Sequence, residues 1–560
     1  MDGACAAAAL EAHVHLRMGQ LAEARECIQW IEHEAEAHGL EPRYLAALTD
    51  KGALLEMVGD LEGAVQVHKQ ALEIQRRSGE PLGVATAAGN VGRLLTRMLQ
   101  PDEARVLLDE SLRLFREVNN EAGAINALIC IGDMERAGGE LESAERAFTE
   151  AISRSGAEHL AVLRAVALLN HGHILRDRGH ARAALEAFDA SYEIAKELGD
   201  LRGVARSRLA QALALADSAS PERSLDAFTE AERAFVDIGQ PAGAIAATVN
   251  RAAVLCRVGR LKEGRNELAV AGEALTRAGD RRAAIEVSLA LAEVQLIMGD
   301  AAAAEASLEA IDPAPGGPRL VLRRALLSAR LSIRAGLLGD ARHLVQAAAV
   351  TDASVAERFA CDLQNCELAI LADDPRAPAL IADLLSALDP EAQPREYAAA
   401  RTANAQYEFW RGDLNLAEAS YGEAYARWQA MGEALPMLQA QGAQWRLEML
   451  DGRLPPVGPV FAAGAALEEQ PVRDAAAAMR SLALAMSMVA GGPHDEETRD
   501  AVADAIAGEI FILLSSGNRL AAASELAYAA RVTGIERLAE EASRLFATIE
   551  VVPPLWFSEN

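Results

Sequence analysis

Aromatic side chains make up only 4% of this 560-residue chain, although 51% of it is hydrophobic. The apolar share is carried largely by alanine, the composition expected where helices approach closely. No sustained alternation of Val, Ile, Thr and aromatic residues occurs, which argues against a sheet domain. Positive charge is also scarce: 54 Lys and Arg stand against 82 Asp and Glu, for a net charge of −28. Such a surface repels phosphate backbones and anionic membranes, so nucleic acid is not an expected partner. The six cysteines, Cys5, Cys27, Cys130, Cys256, Cys361 and Cys366, form no CxxC pair and fall at apolar or small positions. They read as buried thiols of a reducing compartment rather than disulfides or a zinc site. No uninterrupted apolar run reaches membrane-spanning length, and the first residues are acidic where a secretory leader would be basic. The expectation is a cytoplasmic protein with no membrane partner. Walker loop, GxSxG elbow, HExxH and kinase Asp-Phe-Gly signatures are all missing. With 82 carboxylates supplying chance pairs everywhere, nothing singles out catalysis; the expectation is no enzyme, no cofactor and no metal.

What the chain does have is a glycine at Gly19, Gly59, Gly139, Gly179, Gly259, Gly299 and Gly339, all on one forty-residue ruler. The two missing members, Leu99 and Ala219, are each followed two residues later by a proline, Pro101 and Pro221, which suits a first helical turn. A half-period series follows at Gly39, Gly79, Gly199, Gly239 and Gly279, with Asn119 in the same place. Gly and Asn accept the left-handed cap conformation. Seven residues before each turn stands a small residue: Ala12, Gly52, Gly92, Gly132, Gly172, Ala212, Ala252, Ala292 and Ser332. After the turn come Ala24, Ala64, Ala104, Ala144, Ala184, Ser224, Gly264 and Ala304, with a bulkier residue such as Ile28, Phe148, Phe188, Phe228 or Leu308 four positions later. Spacings of three, four and seven put these on one helical face. Each repeat is then two helices of about 15 to 17 residues, roughly 25 Å long. A large residue at Gly92 or Gly132 is expected to overpack the contact.

These residues resemble the tetratricopeptide repeat, which carries a small residue in its first helix, a turn glycine, then alanine, aromatic and alanine in the second. Ala144, Phe148 and Ala151 match, as do Ala184, Phe188 and Ser191. Residues 60–92 look like the long forty-residue variety of Pins-type adaptors and kinesin light chains, and similar arrays occur in bacterial signalling proteins. The resemblance implies an all-α, right-handed superhelical solenoid of antiparallel helix pairs, with about 12 to 13 repeats, the later ones degenerate. The expected organisation is a regular array over 1–311, less regular repeats over 319–451, degenerate helical repeats and a cap over 460–549, and a tail over 550–560. Asp373, Pro375 and Cys366 fit a shortened repeat, and Gly412 with Ala405, Ala417, Tyr421 and Ala424 fits well. Gly452 and Gly492 continue the spacing, and Gly517, Ala522 and Leu526 mark the last clear pair. Proline-rich interruptions stand at 312–318, 454–459 and 491–493. The tail either caps the terminal repeat or docks elsewhere.

In this family the first helices line the concave face. That assigns a peptide-binding groove to Thr86, Asn90, Arg93, Arg97, Asn126, Asp133, Asn170, His173, Arg206 and Asn250. Asn90, Asn170 and Asn250 share one column. Asparagine offers both donor and acceptor, so such a ladder suits an extended peptide's main chain, but it equally suits bonds to neighbouring helices. His171 and His173 lie two apart on a helix and face different directions, against a shared metal. A second docking candidate is the aromatic cluster Tyr407, Trp410, Tyr421, Tyr425, Trp428 and Trp445, which alternatively fills gaps in irregular repeats.

The leading expectation is a non-catalytic scaffold whose groove holds an extended or helical segment of another protein. One alternative is the regulatory or sensor arm of a signalling enzyme, such as a kinase, a STAND-type ATPase or a CHAT-type protease, acting on a catalytic part outside this chain. A further alternative is a self-assembling structural array.

Overall fold

A computed structural model describes residues 1–18, 20–98, 100–217, 220–278, 281–312, 318–347, 355–391, 393–469, 472–492 and 494–558. The expected turns at Gly19, Leu99, Ala219 and Gly279, and the interruptions at 313–317 and Pro493, lie outside them. Among the described residues the chain is all-α, with no strand. It divides into two compact units, Met1–Ala210 and Gln211–Asn560.

The first unit comprises α1 (Asp2–Met18), α2 (Leu21–Ala37), α3 (Glu41–Met57), α4 (Leu61–Ser78), α5 (Pro81–Arg97), α6 (Pro101–Glu117), α7 (Glu121–Ala137), α8 (Leu141–Arg154), α9 (Ala161–Asp177), α10 (Ala181–Glu197) and the start of α11 (Leu201–Asp217). The second continues with α12 (Pro221–Asp237), α13 (Pro241–Arg257), α14 (Leu261–Ala278), α15 (Arg281–Ile297), α16 (Ala301–Glu309), α17 (Pro318–Ala335), α18 (Leu338–Ala347), α19 (Val355–Leu371), α20 (Ala377–Ser386), α21 (Pro394–Trp410) and α22 (Leu414–Ala430). It ends with α23 (Ala434–Leu450), α24 (Val457–Glu469), α25 (Arg473–Ala490), α26 (Glu496–Ser515), α27 (Arg519–Thr533), α28 (Glu536–Phe546) and α29 (Leu555–Ser558).

The forty-residue rhythm becomes a stack because each small residue seats a large one. Phe148 and Phe188 are fully buried, and a Cβ placed on Gly132 or Gly172 would come within 2.6 or 2.4 Å of those rings. Gly92 stands in the same relation to Leu108, at 2.7 Å. Glycine inside a helix costs about 1 kcal/mol; burying a phenylalanine contributes about 1.5–3 kcal/mol. The exchange favours glycine wherever it lets the ring in. The turn glycines Gly59, Gly139, Gly179, Gly259 and Gly299 take φ between +79° and +86°, and Asn119 takes +54° in the half-period series. Pro101 and Pro221 open α6 and α12, as their spacing predicts.

The ruler slips at Gly339, which lies inside α18. The turn is instead Gly336, with φ +80°. Seven residues before it Ala329 is fully buried, and five after it Ala341 is too, so Ala329 rather than Ser332 is the small residue of this repeat. The cause lies upstream, where α16 spans only 9 residues against 17 in most others, so the register shifts by three. Downstream, Asp373 makes the turn at φ +50° and Cys366 is buried seven residues before it.

Consecutive odd-numbered helices pack closely, α1 with α3, α5 with α7 and α7 with α9, and form the inner layer. Within the second unit the chain folds onto itself. The buried Asp474 at the start of α25 pairs with Arg334 from the end of α17 and accepts bonds from Ser516 at 2.6 Å and Asn518 at 2.8 Å. Forty-one residues earlier, Glu433 accepts Arg395 at 2.7 Å, and Arg395 and Arg257 both reach the Ala216 carbonyl. These carboxylates clasp elements far apart in sequence. Between residues 474 and 486 of α25, and 520 and 530 of α27, no residue is exposed.

Candidate functional site: the inner layer of the first unit

In α7 the pattern differs, because Asn126, Asp133 and Arg136 are exposed on its inner side. Bonds between neighbouring inner helices recur at separations of 37 and 41 residues, a forty-residue repeat less about a turn or plus a single residue. Arg93 on α5 holds Glu56 on α3 through two bonds of 2.7 and 2.9 Å, and Arg97 adds a third at 2.8 Å. Asn170 on α9 donates to Asp133 on α7 at 2.9 Å, and Arg136 donates to Asp177 at 2.8 Å. The outer helices carry their own ladder at a separation of 34: Lys69 with Glu103, Arg76 with Glu110 and Arg116 with Glu150.

The three column-mates behave differently. Asn170 is engaged by Asp133. Asn250, in the second unit, donates to the carbonyl of Ala246 on its own helix at 2.8 Å. Asn90 is half-buried on α5 and, among the described residues, makes no side-chain hydrogen bond; the exposed Asn126 on α7 makes none either. Thr86 is exposed, and its hydroxyl donates to Leu82 of its own helix. Arg206 is exposed on α11, near enough to act electrostatically on both Asp133 and His173.

Desolvation within the inner layer sets the electrostatics. Asp133 reaches solvent at its surface yet is surrounded by protein, and this desolvation pushes its carboxyl from 3.8 up to about 6, against the opposing pull of Arg136 and Arg206. Burial likewise pushes His173 from 6.5 down to about 4, helped by the guanidiniums of Arg176, Arg136 and Arg206. Its ring packs edge-on to Phe188 at 5.1 Å. Burial would raise Glu56, but Arg93 and Arg97 outweigh it and hold the carboxyl below its usual range. The buried Cys130 thiol is pushed up to about 12, chiefly by desolvation, so it stays protonated at neutral pH. Among the described residues no group of three or more His, Cys, Asp or Glu is placed to hold a metal ion, and no helix is long and apolar enough to cross a membrane.

The aromatic cluster lies in the second unit. Trp410, Tyr421, Trp428 and Trp445 are buried at 6–7% exposure, and Tyr407 and Tyr425 are half-buried. Trp428 donates to Thr402 at 3.3 Å, and Trp410 donates to the Val552 carbonyl at 2.9 Å. Trp410 and Trp428 are thus bonded within the chain, and Tyr407 and Tyr425 keep part of their surface open.

Glu56 escaped sequence reasoning because it falls one position outside the columns that family geometry assigns to the groove. The signal available was an acidic residue 37 and 41 positions before a pair of arginines.

Residues 83–155 match the family model described as tetratricopeptide repeat. No curated protein matches the chain. Among solved structures it is similar to the apo form of the quorum sensor NprR from B. thuringiensis, with 16% identity and a TM-score of 0.42 over 51% of this chain and 80% of that one. It is similar to yeast Tom70, with 14% identity and a TM-score of 0.35 over 80% and 97%. It is also similar to the APC/C hetero-tetramer Cut9–Hcn1, with 13% identity and a TM-score of 0.45 over 96% and 95%.

Proposed function

From the premise that this is a tetratricopeptide-repeat chain, matched over residues 83–155, we propose that it is a non-catalytic scaffold that holds a peptide segment of another protein. The proposed seat is the inner layer of the first unit. The observation that carries this reading is the pair Asn90 and Asn126, amides on adjacent inner helices that make no side-chain hydrogen bond among the described residues. Each offers a donor and an acceptor, which an extended backbone supplies in complementary form. Around them the charges are largely spoken for, since Arg93 and Arg97 share Glu56 and Arg136 holds Asp177. Arg97 and Arg206 remain exposed. Backbone recognition by the amides, with the guanidiniums adding a preference for carboxylate-bearing segments, is the division of labour this arrangement supports.

The test is capture from native extract by the full chain beside a variant carrying Asn90→Ala, Asn126→Ala and Arg206→Glu, with helicity and melting compared first. A partner held by the first and lost by the second is the expected result. Equal capture by two equally folded chains removes the inner layer of the first unit as the seat.

A further inference from the structure

Residues 549–557 run across the ends of three inner helices of the second unit. Glu550 donates its amide to the Gly336 carbonyl at 2.8 Å, and Val552 donates to the Leu371 carbonyl at 2.9 Å. Both acceptors stand at the C-terminal ends of inner helices, α17 and α19, where the last carbonyls have no partner within the helix. The Val552 carbonyl in turn accepts the indole N–H of Trp410, the last residue of α21. The Glu550 carboxylate accepts the Gly339 amide at 2.6 Å and so caps the first turn of α18. The alternate residues Ile549 and Val551 are buried. Ile549 lies over Gly336, where a Cβ would come within 2.4 Å of the isoleucine's own. Pro553 and Pro554 offer no amide and end the ladder. Past them Trp556 packs against Phe409 with ring centroids 5.3 Å apart, and Phe557 against Phe546 at 6.0 Å.

Main-chain bonds from every second residue, with the intervening side chains in pockets, are how a folded surface reads an extended peptide. The seat is imperfect in one respect: the indole N–H of Trp556 is buried without a hydrogen-bond partner, a penalty that departure relieves. We propose that the track along Gly336, Leu371, Phe409 and Trp410 is a binding site for apolar peptides of the Val-Val-Pro-Pro-Leu-Trp type, extended as far as the prolines and closed by a helical turn that carries the aromatic anchor, and that residues 549–557 are its detachable resident ligand. This site is independent of the inner layer of the first unit.

The probe is a labelled synthetic peptide of residues 548–558, titrated into the full-length chain and into the full-length Trp556→Ala variant. Weakening the resident tail opens the track, so the variant is expected to bind the peptide about tenfold more tightly, because apparent affinity scales with the open fraction. Adding Trp410→Phe removes one donor and is expected to weaken that binding about fivefold. In the unmodified chain the Val552 amide should exchange hydrogen faster than amides of α25, and faster still with excess peptide. Glu550→Ala, which removes the acceptor that caps α18 and leaves the aromatic seat intact, serves if Trp556→Ala does not fold. Absence of peptide binding to a folded tail variant, or exchange at Val552 only through global unfolding, overturns the proposal and makes the tail a fixed part of the fold.

Discussion

The two units use one repeat to opposite ends. In the first, α7 keeps Asn126, Asp133 and Arg136 open along its inner side; in the second, α25 and α27 expose nothing over 474–486 and 520–530. The same division appears in the ion pairs. Arg116 and Glu150 meet with both side chains more than 40% exposed, whereas Asp474 meets Arg334 at 10% and 21%. An open array leaves its polar groups for water or a partner, while one that folds back must satisfy them internally. The proposed groove therefore lies in the unit that stays open, whereas the track proposed in the second unit is already filled by residues 549–557.

The sharpest way to break this comparison is to remove one acid from the closed unit. Asp474→Ala strands the Arg334 guanidinium in a buried site, and the expected loss is about 3–5 kcal/mol. Arg116→Ala in the open unit should cost less than about 1 kcal/mol. Denaturant unfolding followed by tryptophan fluorescence reads the first directly, since Trp410, Trp428, Trp445 and Trp556 all belong to the second unit and only Trp30 to the first. Far-ultraviolet dichroism reads both. Comparable losses would mean that closure is not what separates the units.

Overpacking comes next in size. Gly132→Leu drives a side chain into the Phe148 ring, and the expected cost is about 1–3 kcal/mol, with more if the helices separate. An unchanged midpoint would show that the small column is not the contact on which the stack rests.

The smallest effect is a change of slope with pH. Between about pH 4 and 6 the folded chain keeps a proton on Asp133 that the unfolded chain has released, so this group makes stability fall as pH rises. His173 acts in the opposite sense from about 4 to 6.5, because the unfolded chain takes up the proton that the folded chain refuses. The two partly cancel. Asp133→Asn removes the falling contribution, so the melting temperature of the variant should climb more steeply from pH 4 to 6.5 than that of the parent chain. Parallel profiles would show that the inner layer does not desolvate this carboxyl.

Much of the stack was legible because its determinants are local and periodic. A left-handed turn needs glycine or asparagine at one position, and a buried ring needs a missing side chain sixteen residues earlier, as Gly132 and Phe148 show. The slip to Gly336 was not legible, because it follows from the early end of α16 and the seven-residue spacing survives only as Ala329. Groove columns told which residues face inward but not which are free. Asn90, Asn170 and Asn250 occupy one column, yet one pairs with an acid on the preceding inner helix, one with its own backbone, and one with neither.

Periodicity along the chain is enough to dictate all-α helix pairs, their turns and their interlocking faces, since each choice involves residues within about one repeat of one another. Closure is of another kind. Asp474 finds Arg334 140 residues away, Arg395 reaches Ala216 across 179, and Gly339 donates to Glu550 across 211. Each depends on small rotations accumulated over several repeats, which no short motif records, and those rotations decide which inner face is covered and which stays open.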